Sequence, residues 1–187
     1  MQQDTDRFVV VTGGPGAGKT TLIDALEREG YARTIEAGRA IIREQSEQGG
    51  SALPWVDPVA FAARMFEWEL RSYRTARAHP GITIFDRGLP DLIGYYALIR
   101  REMPDDVRRA AEIHRYNGRV FIAPPWRTIF AQDTERKQDF SEAVGTYLAM
   151  VGAYAACGYE LVELPCVTVA ERVRFVRDRI GPTRTSS

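Results

Sequence analysis

The sequence predicts an α/β fold in which five β-strands alternate with α-helices and form a parallel sheet covered by helices on both faces. Short apolar runs, typical of strands buried on both faces, recur along the chain, and segments with helical spacing or helix-capping residues separate them. The chain has 187 residues, of which 44% are hydrophobic. It is long enough for one well-packed core and short for two. We therefore expect one domain over residues 7–181, with loose tails at 1–6 and 182–187.

The strands are predicted from apolar runs that end at, or directly before, glycine, proline or a charged residue. In chain order, these runs are 7–12, 31–36, 82–86, 119–123 and 159–164. We expect right-handed crossovers between these strands. Because the strands are parallel, the carboxyl ends of all five lie at one edge of the sheet. We expect the functional site at that edge.

The helices are predicted where apolar residues recur three or four positions apart and where capping residues stand at the right spacing. Asp57 followed by Pro58 is a good N-cap and first-turn pair. The Asp-x-x-Glu pattern at Asp139 and the Thr-x-x-Glu pattern at Thr168 resemble capping boxes. In chain order, the predicted helices are one directly after the glycines that follow the first strand, then 39–48, 57–78, 89–101, 105–116, 139–158 and 168–181.

Composition argues against several classes of protein. The 25 Lys+Arg balance the 25 Asp+Glu, so the basic excess that drives generic nucleic-acid binding is absent. No window approaches the roughly 20 consecutive apolar residues of a membrane span, and the first residues lack the pattern of a signal peptide. The sequence favours a cytoplasmic protein that does not bind membranes. Cys157 and Cys166 are interpreted as two partly buried free thiols.

Lysine is rare in this chain. Lys19 and Lys137 are the only lysines among the 25 basic residues, and all the others are arginine. A lysine retained where nearly every basic position is arginine indicates a site that needs a compact ammonium group rather than a planar guanidinium. Both lysines are therefore candidates for function.

The segment GGPGAGKT at residues 13–20 fits the pattern G-x-x-x-x-G-K-[ST] and stands between an apolar strand and an amphipathic helix, the context that this pattern requires. Glycines let backbone N–H groups face phosphates, Lys19 reaches the outer phosphates and Thr20 can ligate magnesium. The sequence thus predicts a phosphate-binding loop (P-loop) for ATP with Mg²⁺. The residues assigned to the nucleotide are Gly13, Gly14, Pro15, Gly16, Ala17, Gly18, Lys19, Thr20 and Thr21.

Asp86 and Arg87 follow the third predicted strand and help to choose among P-loop chemistries. Guanine-specific switches carry an Asn-Lys-x-Asp loop, in which neither lysine stands, and motor-type ATPases usually place Glu rather than Arg after the Asp. An Asp-Arg pair resembles that of nucleoside and nucleotide kinases. Asp86 is accordingly predicted to face the metal and act in catalysis, and Arg87 to bind substrate. The alternatives are a helix N-cap for Asp86 and a solvated turn residue for Arg87.

Five longer runs carry a resemblance to a known family. They are 36–42 (EAGRAII), 86–91 (DRGLPD), 125–130 (PWRTIF), 133–136 (DTER) and 158–165 (GYELVELP). At this spacing they resemble a family of small P-loop ATPases labelled as an AAA domain and related to nucleoside-kinase-like proteins such as the ribosylnicotinamide kinase domain. The resemblance implies a three-layer P-loop kinase-like fold with sheet order 2-3-1-4-5, and binding of nucleotide and magnesium.

Glu36 and Arg39 resemble the Glu and Arg that meet the acceptor hydroxyl in nucleoside kinases. A carboxylate at Glu36 could accept the proton of that hydroxyl as a catalytic base, and Arg39 could bind the substrate. The alternative for Glu36 is a surface residue near a helix start, favoured by the helix macrodipole. Deoxynucleoside and thymidylate kinases usually place Ser or Tyr after Asp-Arg, whereas this chain has Gly88, so the acceptor need not be a nucleoside.

The stretch between the fourth and fifth strands is predicted to contain a lid. Arg136 and Lys137 are assigned to catalysis, and Arg127 to substrate binding, because P-loop kinases bring cations onto the transferred phosphate from this part of the chain. Acidic neighbours also fit a salt-bridged surface turn. The sequence leaves two interpretations for the three tryptophans, which either line a pocket or belong to the core. They are Trp55, Trp68 and Trp126.

The sequence therefore predicts an enzyme that binds ATP with magnesium and transfers the γ-phosphoryl group to a small hydroxylated acceptor. The second interpretation is an ATPase or a nucleotide-dependent switch with slow hydrolysis, in which the helix at 57–78 contacts a partner protein. The residues leave the acceptor and the oligomeric state open.

Overall fold

The computed structural model describes residues 5–130 and 139–180, which form five strands and seven helices. The strands are β1 (Phe8–Gly13), β2 (Ala32–Arg33), β3 (Thr83–Asp86), β4 (Arg119–Ala123) and β5 (Glu160–Glu163). The helices are α1 (Lys19–Arg28), α2 (Ala37–Gln48), α3 (Pro58–Ala78), α4 (Leu89–Leu98), α5 (Asp105–Ile113), α6 (Phe140–Ala156) and α7 (Val169–Ile180).

All five strands are parallel and lie in the order β2-β3-β1-β4-β5, the order that the resemblance implied. In the central strand β1, Val11 is in register with Asp86 of β3 and with Phe121 of β4. The neighbours of β1 in the sheet are β3 and β4, and the connections that follow β1 and β3 run in opposite directions from it. Ligands of open α/β sheets bind at such a position, beyond the carboxyl ends of the strands.

The core fills both faces of the sheet. Because successive side chains of a strand point to opposite faces, Phe8 and Val10 pack against α3, α4, α5 and α6. Val9 and Val11 pack against α1 and α7 on the other face. All four side chains are fully buried, which explains why the strand is continuously apolar rather than alternating. The predicted three-layer α/β/α architecture is confirmed.

The three predicted helix caps are present. The Asp57 carboxylate accepts a hydrogen bond from an amide of the first turn of α3 at 2.9 Å. Asp139 and Glu142 bond reciprocally to each other's backbone amides at 2.8 and 2.9 Å. Thr168 and Glu171 form the second capping box, in which the Thr168 amide donates to the Glu171 carboxylate at 3.0 Å.

Several element ends differ from the prediction. The strand predicted at 31–36 is limited to Ala32–Arg33 because β2 is an edge strand, and the chain leaves it to begin α2 with Glu36 as N-cap. The following helix therefore begins at Ala37 and not at residue 39. Helix α4 ends at Leu98 and not at 101, since Arg100 adopts a left-handed conformation with φ 53°. Helix α5 ends at Ile113 rather than 116.

Two expectations from composition can be compared with the structure. Within residues 5–130 and 139–180, no helix combines the length and the apolarity that crossing a membrane requires. The cysteines are free thiols, but only Cys157 is partly buried. Cys166 is exposed because it lies in the turn between β5 and α7 rather than in either element, so the expectation of two partly buried thiols was wrong for this residue.

Candidate active site

The loop between β1 and α1 has the backbone geometry of a phosphate-binding loop. Gly16 and Gly18 have φ values of 68° and 77°, a region that strongly favours glycine. At Gly13, a Cβ atom would lie 2.4 Å from the carbonyl oxygen of Ala123 in β4. The glycines are therefore required by the turn and by the close approach of two backbones.

Lys19 begins α1, and its side chain bends back over the loop. Its Nζ donates a hydrogen bond to the carbonyl oxygen of Gly14 at 2.7 Å, and the residue is 8% exposed. Thr20 and Thr21 follow in the first turn and are exposed. The first amides of a helix have no partner within the helix, so this helix start presents N–H groups and an ammonium to an anion.

A cavity of about 610 Å³, here called the nucleotide cavity, lies beside the phosphate loop. Lys19 and the loop glycines form one wall, and Trp126, Ile129 and Phe130 form another. The Phe130 ring lies so close to the loop that a Cβ at Gly16 would meet it at 2.6 Å. Phosphate-binding backbone on one side and apolar walls on the other suit a nucleotide.

Arg172 is a residue of this cavity that the sequence analysis missed. It lies in α7, is 2% exposed, and donates to the carbonyl oxygens of Ala17 at 2.8 Å and Pro165 at 2.7 Å. Its guanidinium lies 4.8 Å from the centre of the Trp126 ring. Arg172 thereby ties the phosphate loop to α7. Its position on the buried face of α7, beside Val173 and Val176, was the available signal.

Asp86 ends β3 and is in register with Val11 of β1, the strand that leads into the phosphate loop. The residue is 6% exposed, and its Oδ1 atom is buried without a hydrogen-bond partner among the described residues. Burial, reinforced by Glu36, raises the pKa of Asp86 from its ordinary 3.8 to about 6, although Lys19 acts in the opposite direction. The helix-cap alternative is excluded, because the carboxylate of Asp91 and not that of Asp86 receives the Gly88 amide at the start of α4.

Thr20 and Asp86 fit a magnesium ion that arrives with a nucleotide. Mg²⁺ is usually held by one or two carboxylates together with substrate phosphates and water, and the unpartnered Oδ1 of Asp86 supplies such a carboxylate. Across residues 5–130 and 139–180, no group of three or more His, Cys, Asp or Glu side chains is arranged to hold a metal ion.

Arg87 adopts an uncommon backbone conformation that the neighbouring strand supports. Its φ is 73°, which costs roughly 1–3 kcal/mol for a non-glycine residue, and its amide donates to the Val11 carbonyl of β1 at 3.1 Å. The guanidinium lies 2.9 Å from the Asp91 carboxylate and 3.4 Å from that of Glu36. Burial alone would lower the pKa of Arg87, but Asp91 and Glu36 raise it, so the side chain stays charged.

Asp91 fixes the position of Arg87. Besides the ion pair, its oxygens accept hydrogen bonds from the hydroxyls of Thr12 and Tyr154, both at 2.6 Å, and from the Gly88 amide at 3.0 Å. Sequence reasoning had placed Asp91 only at a helix start. The structure shows that one buried carboxylate both caps α4 and holds the arginine of the Asp-Arg pair.

Glu36 lies where two cavities meet. It is the N-cap residue of α2, is 8% exposed, and lines both the nucleotide cavity and a second one. Its carboxylate is 3.2 Å from Nε of Arg39 and 3.4 Å from Nε of Arg87. The predicted base is therefore in contact with two of the three predicted substrate-binding arginines: Arg39 from the first turn of the same helix, and Arg87 from the segment that follows β3.

The second cavity, here called the acceptor cavity, has a volume of about 580 Å³. It lies between α2, α3, α4 and α6, and Pro15 and Glu36 line it as well as the nucleotide cavity. Its wall is mostly apolar, and its ionisable side chains are predominantly acidic. The apolar members include Phe61, Met65, Leu92, Tyr95 and Met150, and the charged members are Glu36, Glu69, Arg87, Asp91 and Glu142.

Glu69 is the second residue that sequence reasoning missed. It is 4% exposed, although it belongs to α3, and it lines the acceptor cavity. Burial first, and then the nearby carboxylate of Asp91, raise the pKa of Glu69 well above its ordinary value. Phe61, Met65 and Glu69 are spaced four residues apart on one helix face, so a carboxyl group within an apolar stripe was the available signal.

Of the remaining predicted residues, some line a cavity and others do not. Trp55 lines the acceptor cavity and Trp126 the nucleotide cavity, whereas Trp68 donates its indole N–H to the Ile35 carbonyl at 3.2 Å. Arg127 is exposed and stacks on the Phe140 ring at 4.2 Å, and it is not among the residues that line either cavity. Its role in substrate binding stays a prediction. The predicted lid residues Arg136 and Lys137 lie outside the described residues.

Comparison with known proteins supports the fold. A family model described as an AAA domain matches residues 8–172. No curated protein matches the sequence.

Solved structures with the same fold include three kinds of protein at low sequence identity. The NadR protein in complex with NR is 17% identical with a TM-score of 0.69, and the match covers 95% of this chain and 52% of that one. Deoxyadenosine kinase from M. mycoides with bound dATP is 14% identical over 92% of this chain and 98% of its own, with a TM-score of 0.60. Thymidylate kinase from Ehrlichia chaffeensis is 16% identical over 91% and 96%, with a TM-score of 0.56. This chain spans about half the length of the NadR chain, and all three likenesses identify a P-loop kinase-like fold.

Proposed function

Since this chain belongs to the family described as an AAA domain and has a P-loop kinase-like fold, we propose that it is an ATP- and magnesium-dependent phosphotransferase. Its acceptor is a small molecule with a hydroxyl group. One observation carries the proposal: the nucleotide cavity and the acceptor cavity meet at Glu36 and Pro15. A phosphoryl donor and an acceptor bound in these cavities would approach each other beside a carboxylate.

The nucleotide cavity would hold ATP with its phosphates on the loop. The backbone amides of the loop and the start of α1 face the phosphates, and Lys19 moves from the Gly14 carbonyl to the outer phosphates. The adenine ring of ATP would pack against the apolar surface of Trp126 and neighbouring residues. This assignment uses the residues that the loop pattern predicted, Gly13 to Thr21.

In the transfer step, the acceptor hydroxyl oxygen forms a bond to the γ-phosphorus of ATP as the bond to the β–γ bridging oxygen breaks and ADP leaves. The hydroxyl proton passes to the Glu36 carboxylate. Glu36 is suited to this task because Arg39 and Arg87 orient its two oxygens and it lines both cavities. Arg87, held by Asp91, places a fixed positive charge close to the transferred group.

Magnesium held by Thr20 and Asp86 would neutralise charge on the β- and γ-phosphates. The chain itself contributes an ionised Asp86 carboxylate and a hydroxyl at the first turn of α1. The predicted lid cations, Arg136 and Lys137, would add charge over the transferred oxygens on closure.

The structural neighbours suggest where the search for the acceptor begins. NadR is seen in complex with NR, and the deoxyadenosine kinase is also seen with the product dCMP. Nucleoside-like alcohols are therefore the first compounds to test, together with sugars and amino alcohols, because Gly88 departs from the nucleoside-kinase pattern.

The test is turnover of Mg-ATP with and without each candidate acceptor, followed by detection of the phosphorylated product. We expect strong stimulation by one acceptor class. Glu36→Gln should lower transfer while nucleotide binding persists, and Glu47→Gln, an exposed change in the same helix, should leave both unchanged. Slow turnover that no acceptor stimulates, but that a protein partner alters, would instead identify the nucleotide-dependent switch.

A further inference from the structure

We propose that Arg172 is a positioning residue that couples the two sides of the nucleotide cavity, the phosphate loop and the wall around Trp126. Through this side chain, contacts of the base with the wall strengthen the contacts of the phosphates with the loop. The inference rests on the proposed function, because it places a nucleotide in this cavity. It adds how the chain makes the two ends of that nucleotide bind cooperatively.

The first step is the set of contacts that one buried guanidinium makes. Nη1 of Arg172 donates to the Ala17 carbonyl of the loop at 2.8 Å, and Nε donates to the Pro165 carbonyl at 2.7 Å. The guanidinium also lies 4.8 Å from the centre of the Trp126 ring. Ala17, Trp126 and Val167, which closely follows Pro165, all line the nucleotide cavity. Three segments that are distant in sequence therefore meet at one side chain.

The second step is the effect of Arg172 on the phosphate loop. A trans peptide unit is planar, and its carbonyl oxygen and its N–H point in opposite directions. Because the Ala17 carbonyl is bonded to Arg172, the amide of Gly18 points away from the guanidinium. Gly18 has a φ of 77°, and a Cβ atom there would lie 3.1 Å from Nη1 of Arg172. Arg172 thus fixes the direction of an N–H group that the loop offers to a phosphate.

The third step is the effect on the wall. The Trp126 carbonyl accepts hydrogen bonds from the amides of Ile129 and Phe130, at 3.2 and 3.0 Å, so these three residues form one turn. The guanidinium of Arg172 attracts the ring that begins this turn. A Cβ atom at Gly18 would lie 3.0 Å from Cδ1 of Ile129, so the same turn also packs on the loop. A shift of the wall is therefore transmitted to the loop through Arg172.

The fourth step is that packing alone does not explain an arginine at this position. Arg172 is 2% exposed, and its Nη2 is buried without a hydrogen-bond partner among the described residues. Within the same residues, no carboxylate pairs with the guanidinium. Burial lowers the pKa of Arg172, and Cys166 acts in the opposite direction. An apolar side chain of similar size would avoid the cost of this buried charge. The cost is explained if the guanidinium serves an anionic ligand in the cavity that it lines.

The experiment compares a non-hydrolysable ATP analogue with tripolyphosphate, which has the phosphates but no base, both with Mg²⁺. Calorimetry on the full chain gives the two dissociation constants, and the ratio of the tripolyphosphate value to the analogue value measures what the base adds. We expect Arg172→Lys to lower this ratio about tenfold or more, because an ammonium keeps the charge but lacks the planar fork that holds two carbonyls beside a ring. Arg174→Lys, an exposed change in the same helix, is the matched control.

A second variant tests the other end of the coupling. Trp126→Leu should lower the ratio about tenfold in the unmodified background. In the Arg172→Lys background it should have little further effect, because the two changes remove the same coupling. Fully additive effects of the two changes would contradict the inference.

The outcomes separate this inference from the proposed function. A loss of folded protein, or of charge alone, would weaken both ligands by the same factor, so an unchanged ratio in Arg172→Lys overturns the coupling and leaves the kinase proposal intact. If the unmodified chain binds neither ligand, the nucleotide assignment fails and the inference fails with it. If Arg172→Lys does not fold, the unmodified chain decides the question. Saturating adenine should then tighten tripolyphosphate binding about fivefold or more, and equal binding with and without adenine would contradict the coupling.

Discussion

Replacing Asp86 by Asn should make the ligand-free protein more stable and the enzyme inactive. The pKa of Asp86 rises from its ordinary 3.8 to about 6 on folding, so the native state holds the proton more tightly than the unfolded state does. Ionisation of Asp86 therefore costs stability, at about 1.4 kcal/mol per tenfold change, or about 3 kcal/mol in full. Asn removes this cost while keeping the shape of the side chain.

The size of the stability gain from Asp86→Asn depends on pH, and its sign does not. Below about pH 4, Asp86 is protonated in both states and the cost disappears; it grows as the pH rises and is complete above the folded pKa of about 6. We expect Asp86→Asn to raise the free energy of unfolding by up to about 3 kcal/mol at pH 7.5, and by about half of that at pH 5. Urea denaturation at the two pH values measures this difference.

Two controls complete the test of Asp86. Asp178→Asn, an exposed change in α7, should have almost no effect on stability at either pH. Adding Mg-ATP should stabilise the unmodified protein much more than Asp86→Asn, because the ion needs the carboxylate. The account of Asp86 as a buried, costly metal ligand fails if Asp86→Asn is no more stable than the unmodified protein, or if the gain is independent of pH.

Three further predictions concern the nucleotide side and the transfer step. Lys19→Ala should abolish turnover and weaken ATP binding in calorimetry, and Lys19→Arg should do nearly as much harm, because a planar guanidinium does not fit where Nζ now bonds within the loop; an active Lys19→Arg protein would contradict this. Glu36→Gln should lower acceptor phosphorylation by about 10²–10⁴-fold at unchanged ATP affinity; if it retains full transfer and Asp86→Asn does not, Asp86 is the better candidate for the base. Arg136→Ala and Lys137→Ala should each lower kcat much more than they raise the dissociation constant of ATP; unchanged kcat in both would leave a surface turn rather than a lid.

Most of the fold could be predicted because the apolar runs and the helix-capping residues indicate the same strands and helices that the packed sheet requires. The central strand β1 is apolar at every position from 8 to 11 since both of its faces are covered, and capping residues marked the starts of α3, α6 and α7. Element ends were less predictable. A left-handed residue at Arg100 ends α4, and an edge strand needs no more than the two residues that pair with β3. Neither feature has a strong local signal.

The candidate site was only partly predictable for a related reason. The loop pattern, Asp86 and Arg87 could be located because their chemistry is tied to a strand end and a fixed spacing. Arg172 and Glu69 stand inside helices, where a charged residue is ordinarily exposed. Their importance depends on which face is buried and on which elements meet it, and that information comes from tertiary packing.

The acidic character of the site links its stability to its chemistry. Asp86 and Glu69 are both buried, and burial makes the ionised form of each unfavourable in the ligand-free protein. The fold tolerates this cost because Arg87 and Lys19 offset part of it at Asp86. Under the proposed function, a magnesium ion bound with the phosphates of ATP would supply the positive charge that the ionised Asp86 carboxylate lacks in the ligand-free protein.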